Sequence, residues 1–140
     1  MDPVTCRTNA RLGGFTLIEL MIVIAVLAIV TVAAVAGYGS STMKARRGTA
    51  EGCLMEAAQF MERHYTINMT YAGANPNLAC TADLADYYNF GFDGAPDATS
   101  YKLRAIPIGS QASDTRCGTL TLNNAGTKTA SGTAGVEGCW

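Results

Sequence analysis

Two groups of residues in this chain have types and spacings that could do chemistry. The first is Glu19, the only charge between Phe15 and Ala36 in the run FTLIELMIVIAVLAIVTVAAVA. About twenty apolar residues, as a helix, cross the hydrocarbon core of a bilayer. A carboxylate near one end of such a run costs on the order of a few kcal/mol unless it meets a cation or a donor. Glu19 is therefore a candidate for a specific contact. The second group is sulfur: Cys6, Cys53, Cys80, Cys117 and Cys139. No Cys-x-x-Cys pair occurs and His64 is the single histidine, so zinc fits poorly. A nucleophile at Cys53 served by His64 would need a free thiol, an oxyanion site and a third, orienting group, and the sequence shows none. Asp83, Asp86, Asp93 and Asp97 are spaced too loosely for a calcium loop. No catalytic residue, metal or cofactor is expected.

The residues before the apolar run give Glu19 its context. Met1–Gly14 carries Arg7 and Arg11 and ends in the small pair Gly13-Gly14. A secretory signal has its apolar stretch first and its small-residue cleavage site after it. Here the order is reversed. The motif Gly13-Gly14-Phe15-Thr16-Leu17-Ile18-Glu19-Leu20 resembles the class III leader of the type IV prepilin family. That resemblance implies cleavage between Gly14 and Phe15 by a prepilin peptidase on the cytoplasmic face, and N-methylation of Phe15. It also makes Glu19 the glutamate that registers an incoming subunit against the terminal amine of a neighbour. The pairing is physically sensible, because an acid in lipid seeks a cation. A bare count of flanking charge, Arg7 and Arg11 against Lys44, Arg46 and Arg47, would put the C-terminal side in the cytoplasm. Long domains translocate regardless of such charge, and the family places the leader inside.

Loss of residues 1–14 would remove Asp2, Cys6, Arg7 and Arg11. The 10 basic and 11 acidic residues of the whole chain become 8 and 10, a net charge of −2. That is no electrostatic footprint for nucleic acid or anionic lipid. The four remaining cysteines are an even set, suited to two disulfides in an exported domain, with three pairings possible. Chain order favours Cys53–Cys80 and Cys117–Cys139. The loop closed by the second pair resembles the disulfide-bounded region at the C-terminus of type IV pilins.

Positioning these groups falls to one long helix and a small sheet. No proline interrupts Ser41 to Met69, where Ala, Met, Glu, Gln and Arg dominate. Cys53, Ala57, Phe60 and His64 recur at helical spacing, flanked by Leu54 and Met61, with Glu51, Glu62 and Arg63 opposite as a solvated or filament-facing side. Ala28 and Ala36 stand near places where many family members have glycine and proline, followed by Gly37-Tyr38-Gly39. Any softening of the helix would then rest on the two glycines. Thr70 to Asn89 reads as a loop with a helical turn at Ala82–Tyr88. Strands are predicted at Tyr88–Phe92, Tyr101–Ile108, Gly118–Leu122 and Thr127–Ala130, with a hairpin loop at Asn123–Gly126. Leu120 and Leu122 alternate with Thr119 and Thr121, giving the sheet one face for the helix. Phe60, Tyr65, Tyr71, Tyr87 and Tyr88 are expected in the core or sheet, and Trp140 is left open between buried and exposed. Lys44, Arg46 and Arg47 read as a solvated basic face or as filament salt bridges.

The expected fold is therefore α+β: a long N-terminal helix packed on a small antiparallel sheet, which is also the type IV pilin fold. Three segments are expected. Residues 1–14 form the leader, 15–39 the transmembrane and filament-core helix, and 40–140 the head. The stretches Ala45–Gly48, Ala57–Tyr65, Tyr71-Ala72-Gly73, Cys117–Leu122, Gly126-Thr127-Lys128 and Gly138-Cys139-Trp140 resemble the PilE-type minor pilins. The resemblance implies a structural subunit serving pilus assembly, twitching motility and adhesion. Its partners would be other pilin subunits, the prepilin peptidase/N-methyltransferase and the inner-membrane assembly platform. Before assembly it would sit in the inner membrane with its head in the periplasm, and afterwards in the extracellular pilus. Rival readings are a major pilin, a type II secretion pseudopilin, or a DNA-uptake pilin; nucleic acid is not the expected partner.

Overall fold

The computed structural model describes residues 14–140. The expected leader up to Gly13, with Cys6, Arg7 and Arg11, lies outside the described residues. The chain divides between Tyr38 and Gly39 into two compact units. Helix α1, Leu17–Asn68, supplies the first unit and the opening element of the second.

In the first unit the helix is apolar all round and every described side chain on it is exposed. It is long and apolar enough to cross a membrane, with a window of mean hydropathy 2.9. Such a helix cannot be stable with that surface in water; it must be covered by lipid or by other apolar helices.

In the second unit α1 presents Ala50, Cys53, Leu54, Ala57 and Met61 to the core. The buried stripe is thus rotated from the expected one. Phe60 is 37% exposed and His64 half-exposed. The covered stripe is the one that carries two alanines, whose small side chains let a sheet approach closely. The larger ring of Phe60 is left at the margin.

After α1 come a short helix α2 (Ala79–Asp83), strands β1 (Tyr88–Phe92) and β2 (Lys102–Pro107), a 3-10 turn (Gly109–Ser113), and strands β3 (Leu120–Asn123) and β4 (Lys128–Ala130). The four strands form an antiparallel meander in the order β1-β2-β3-β4. Register places Phe90, Ala105, Leu120 and Ala130 in one row, and Phe92, Leu103, Leu122 and Lys128 in the next on the same face. These rows, Lys128 apart, join α1 in a single core with Tyr71, Leu84, Tyr88 and Tyr101. The opposite face carries Gly91, Arg104, Thr121 and Thr129.

Helix α2 begins at Ala79, three residues earlier than expected, and gives way to turns from Leu84, so the expected helical span Ala82–Tyr88 is largely turn. Thr121 is buried beside Leu120 and Leu122, because its hydroxyl meets that of Thr129 across the sheet at 2.6 Å. The simple alternation of apolar and solvated positions therefore fails in β3. The 3-10 turn has no apolar periodicity to announce it. It starts at Gly109, whose φ of +54° suits glycine and where a Cβ would stand 2.7 Å from the Asp86 carbonyl oxygen.

Candidate functional site

In the first unit the residues that matter are Gly14, Phe15, Thr16 and Glu19. Gly14 and Phe15 are exposed, immediately before the helix. Thr16 caps it: its hydroxyl oxygen accepts the Glu19 backbone N–H at 3.2 Å, and its carbonyl accepts from the Leu20 N–H at 3.2 Å. Thr16-x-x-Glu19 is a capping-box spacing, and only the threonine half of that box is made. The Glu19 carboxylate has no hydrogen bond or ion pair among the described residues, and it lies in the first turn, where the helix dipole favours an anion. Thr16 was missed as a positioning residue in the sequence reading, although the T-x-x-E spacing could have flagged it.

In the head, the turn Met43–Arg47 of α1 is gripped by the segment between β2 and β3. Arg47 donates from Nη1 to Asp114 Oδ2 at 2.8 Å, and its Nε stands 3.8 Å from Glu51. Asp114 is buried, so this pair lies largely out of water. Gln111, fully buried, donates from Nε2 to the Met43 carbonyl at 3.0 Å and to the Tyr88 hydroxyl at 3.1 Å. Its Oε1 has no partner among the described residues. Arg46 stacks over the Tyr87 ring at 3.8 Å and donates to Ser110 at 3.1 Å. The basic run expected to be a solvated face is thus partly consumed inside the head. Lys44 alone of the three remains exposed.

Glu62 is exposed, as expected, and its carboxylate also accepts from the Tyr71 hydroxyl at 3.1 and 3.0 Å and from the Tyr101 hydroxyl at 3.0 Å. Tyr71 stacks on Tyr65 and meets Tyr101 edge-on, closing a cluster of three rings. Burial, and then the neighbouring Glu62 carboxylate, push the Tyr71 and Tyr101 hydroxyls above the ordinary phenol range.

Two disulfides complete the head: Cys53–Cys80 ties α1 to α2, and Cys117–Cys139 ties the approach to β3 to the C-terminal tail. Cys53 is bonded, so it offers His64 no thiol, and the His64 ring contacts Asn68 on its own helix. Among the described residues no group of His, Cys, Asp and Glu is placed to hold a metal. The tail is pinned further by Trp140, which is half-buried, donates from its indole to the Thr129 carbonyl at 3.0 Å and lies under Lys128. On the outer sheet face Lys102 pairs with Asp93 at 2.7 Å, and Arg104 stands 3.8 Å from the same carboxylate.

Comparison with known proteins now adds to this geometry. Residues 36–121, well over half of the chain, match the family model described as "Type IV minor pilin ComP, DNA uptake sequence receptor". The chain belongs to this type IV minor pilin family. Residues 10–35 match the prokaryotic N-terminal methylation motif, which spans Gly14, Phe15 and Glu19 of this minor pilin. A type IV pilin from Shewanella oneidensis is similar to it at 29% identity and a TM-score of 0.52, over 70% of this chain and 97% of the other. The non-core minor pilin PilV of Neisseria meningitidis is similar at 26% identity and a TM-score of 0.51, over 66% of this chain and 89% of that one. No curated protein matches. These likenesses support the long helix and small antiparallel sheet as the pilin fold.

Proposed function

We propose that this minor pilin is a structural subunit that is cut between Gly14 and Phe15, N-methylated on Phe15, and built into a type IV pilus through its apolar helix. Residues 15–39 would then be the membrane and filament-core segment, and 40–140 the head. Before assembly the helix lies in the inner membrane with the head in the periplasm; afterwards the subunit is part of the extracellular filament. Its partners are other pilins, the processing enzyme and the assembly platform, and its contribution is to pilus assembly and hence to twitching and adhesion. The observation that carries this reading is Glu19: an acid without a partner among the described residues, in the first turn of a helix whose described side chains as far as Tyr38 are all exposed and mostly apolar. Lipid and a bundle of stems are about equally apolar, so close packing and the Glu19 contact, rather than hydrophobic transfer, must favour the filament.

The test is Glu19→Ala, with intact-mass measurement of membrane and sheared-pilus fractions. We expect a mass for Phe15–Trp140 plus one methyl in the membrane, and recovery in sheared pili reduced at least tenfold. Normal recovery in pili would sink the assembly role, and an uncut chain would sink the processing step.

A second reading has specific support, since the matched family model is described as a DNA uptake sequence receptor. Lys102 and Arg104 stand two residues apart on one face of β2, as phosphate contacts could, although Asp93 offsets them. Duplex affinity that falls steeply with salt, and weakens in Lys102→Gln/Arg104→Gln, is the expected signature. Affinity indifferent to salt would remove this reading.

A further inference from the structure

A crevice in the head of about 200 Å³ is lined by Ser40, Met43, Lys44, Arg47, Asp114, Arg116 and Gly138. Three of these side chains are cationic and one is anionic. Their sum, +3 with −1, is +2 in a processed chain whose net charge is −2. The carboxylate does not cancel the site. Asp114 is already bonded to Arg47 at 2.8 Å, and Glu51 also stands by Arg47, at 3.8 Å. Lys44 and Arg116 are exposed and have no ion pair among the described residues. They come from α1 and from the segment just before the Cys117–Cys139 disulfide, so the fold holds two otherwise unused cations at one concavity.

The chain itself fixes where that concavity can be. Ser40, on its rim, follows Tyr38 by two residues, and every described large apolar side chain from Phe15 to Tyr38 is exposed. Two residues reach about 7 Å at full extension. Whenever the apolar stretch is in a bilayer, the rim of the crevice therefore stays within about a headgroup layer of the hydrocarbon, however the two units are oriented. The ligand that meets such a place most often is a lipid phosphate, and a lysine with an arginine suits an oxygen-rich monoanion.

We propose that Lys44 and Arg116, at the crevice whose wall carries the Arg47–Asp114 pair, hold the phosphate of an anionic phospholipid headgroup while the stem is in the membrane. This rests on the membrane reading above. The crevice gives the unassembled subunit a preferred lipid neighbour, one that must leave when the stem is drawn into a filament.

The experiment uses the full processed chain in nanodiscs of phosphatidylcholine with one-fifth phosphatidylglycerol, and counts phospholipids retained after detergent release by native mass spectrometry. We expect one phosphatidylglycerol to be retained at least tenfold over its share, and Lys44→Gln/Arg116→Gln to lose that preference. Both substitutions are at exposed positions and leave the Arg47–Asp114 pair in place. Equal retention by wild type and variant would overturn the proposal while leaving membrane insertion standing. Displacement of the lipid by millimolar inorganic phosphate, with headgroup type immaterial, would overturn the lipid assignment in favour of a free anion. Retained lipid unchanged by the double substitution while duplex binding is lost would overturn it in favour of nucleic acid. A chain that fails to enter the discs would overturn the membrane reading and this proposal together.

Discussion

At the scale of single residues, Met69 and Glu62 are both held by what surrounds them. Met69 follows the end of α1 with a φ of +56°, the left-handed position at which helices commonly end in glycine, and its N–H is bonded to the Tyr65 carbonyl at 2.7 Å. Its side chain is largely exposed, so little packing opposes a change. Met69→Gly is expected to raise stability by about 1 kcal/mol, read as a higher urea midpoint at unchanged slope. Glu62 shows how a surface acid becomes structural, since it receives one hydroxyl from just after its own helix and another from 39 residues away, beside β2. Tyr101 has its folded pKa raised above the unfolded value of 10.0, first by burial and then by Glu62. Its contribution is therefore fully present below pH 10 and is lost as the pH rises through the folded value. Tyr101→Phe should cost about 1.5 kcal/mol at neutral pH and should flatten the loss of stability above pH 10. Near-UV circular dichroism at a series of pH values would show both.

At the scale of elements, the grip on α1 depends on a charge pair that is mostly out of water. Arg47→Ala leaves the buried Asp114 without its cation and is expected to cost about 3–5 kcal/mol. Replacing both, Arg47→Met with Asp114→Leu, should restore most of that loss, because an apolar pair of similar volume avoids the desolvation penalty. A denaturation series on the single and double variants checks this; equal losses in both would show that Arg47 acts by packing alone. The tail tests a different principle. A Cβ at Gly132 would collide with the backbone of Arg116, which cannot swing aside as a side chain could. Gly132→Ala is expected to lower the melting temperature by about 10 °C or more, with the Cys117–Cys139 bond becoming slower to form in oxidative refolding.

At the scale of the whole molecule, most of the architecture was readable because its signals are local and periodic. The apolar run, the glycines and turn residues between strands, and the alternation in β2 all act over a few residues. All four strands were placed within two residues of their ends. The disulfide pairing follows the order of the cysteines along the chain. The unread parts are those decided by distant partners. Which stripe of α1 is buried depends on what the sheet needs, so Phe60 and His64 were misplaced by one step of rotation. Arg46 and Arg47 look like surface charge until Ser110, Asp114 and Tyr87 are brought to them. The crevice at Lys44 and Arg116 joins residues 72 positions apart, with no motif in either segment.

The two covalent bridges also set how far the head can be drawn out under tension. A pull applied along the chain can release only the length not short-circuited by a bridge. Residues 53 and 80 are held 5.8 Å apart, and 117 and 139 are held 5.5 Å apart. Fully extended, those spans of 27 and 22 residue steps would give about 90 and about 70 Å. The first bridge begins on α1 itself, so a force travelling up that helix passes directly by covalent bond from Cys53 to Cys80 and bypasses everything between. Unravelling of the head is thus left to the turns of α1 before Cys53 and to the stretch from Cys80 to Cys117, where β1 and β2 lie. A fibre built of such subunits would yield in bounded steps while these bonds remain oxidised, and in longer ones once they are reduced.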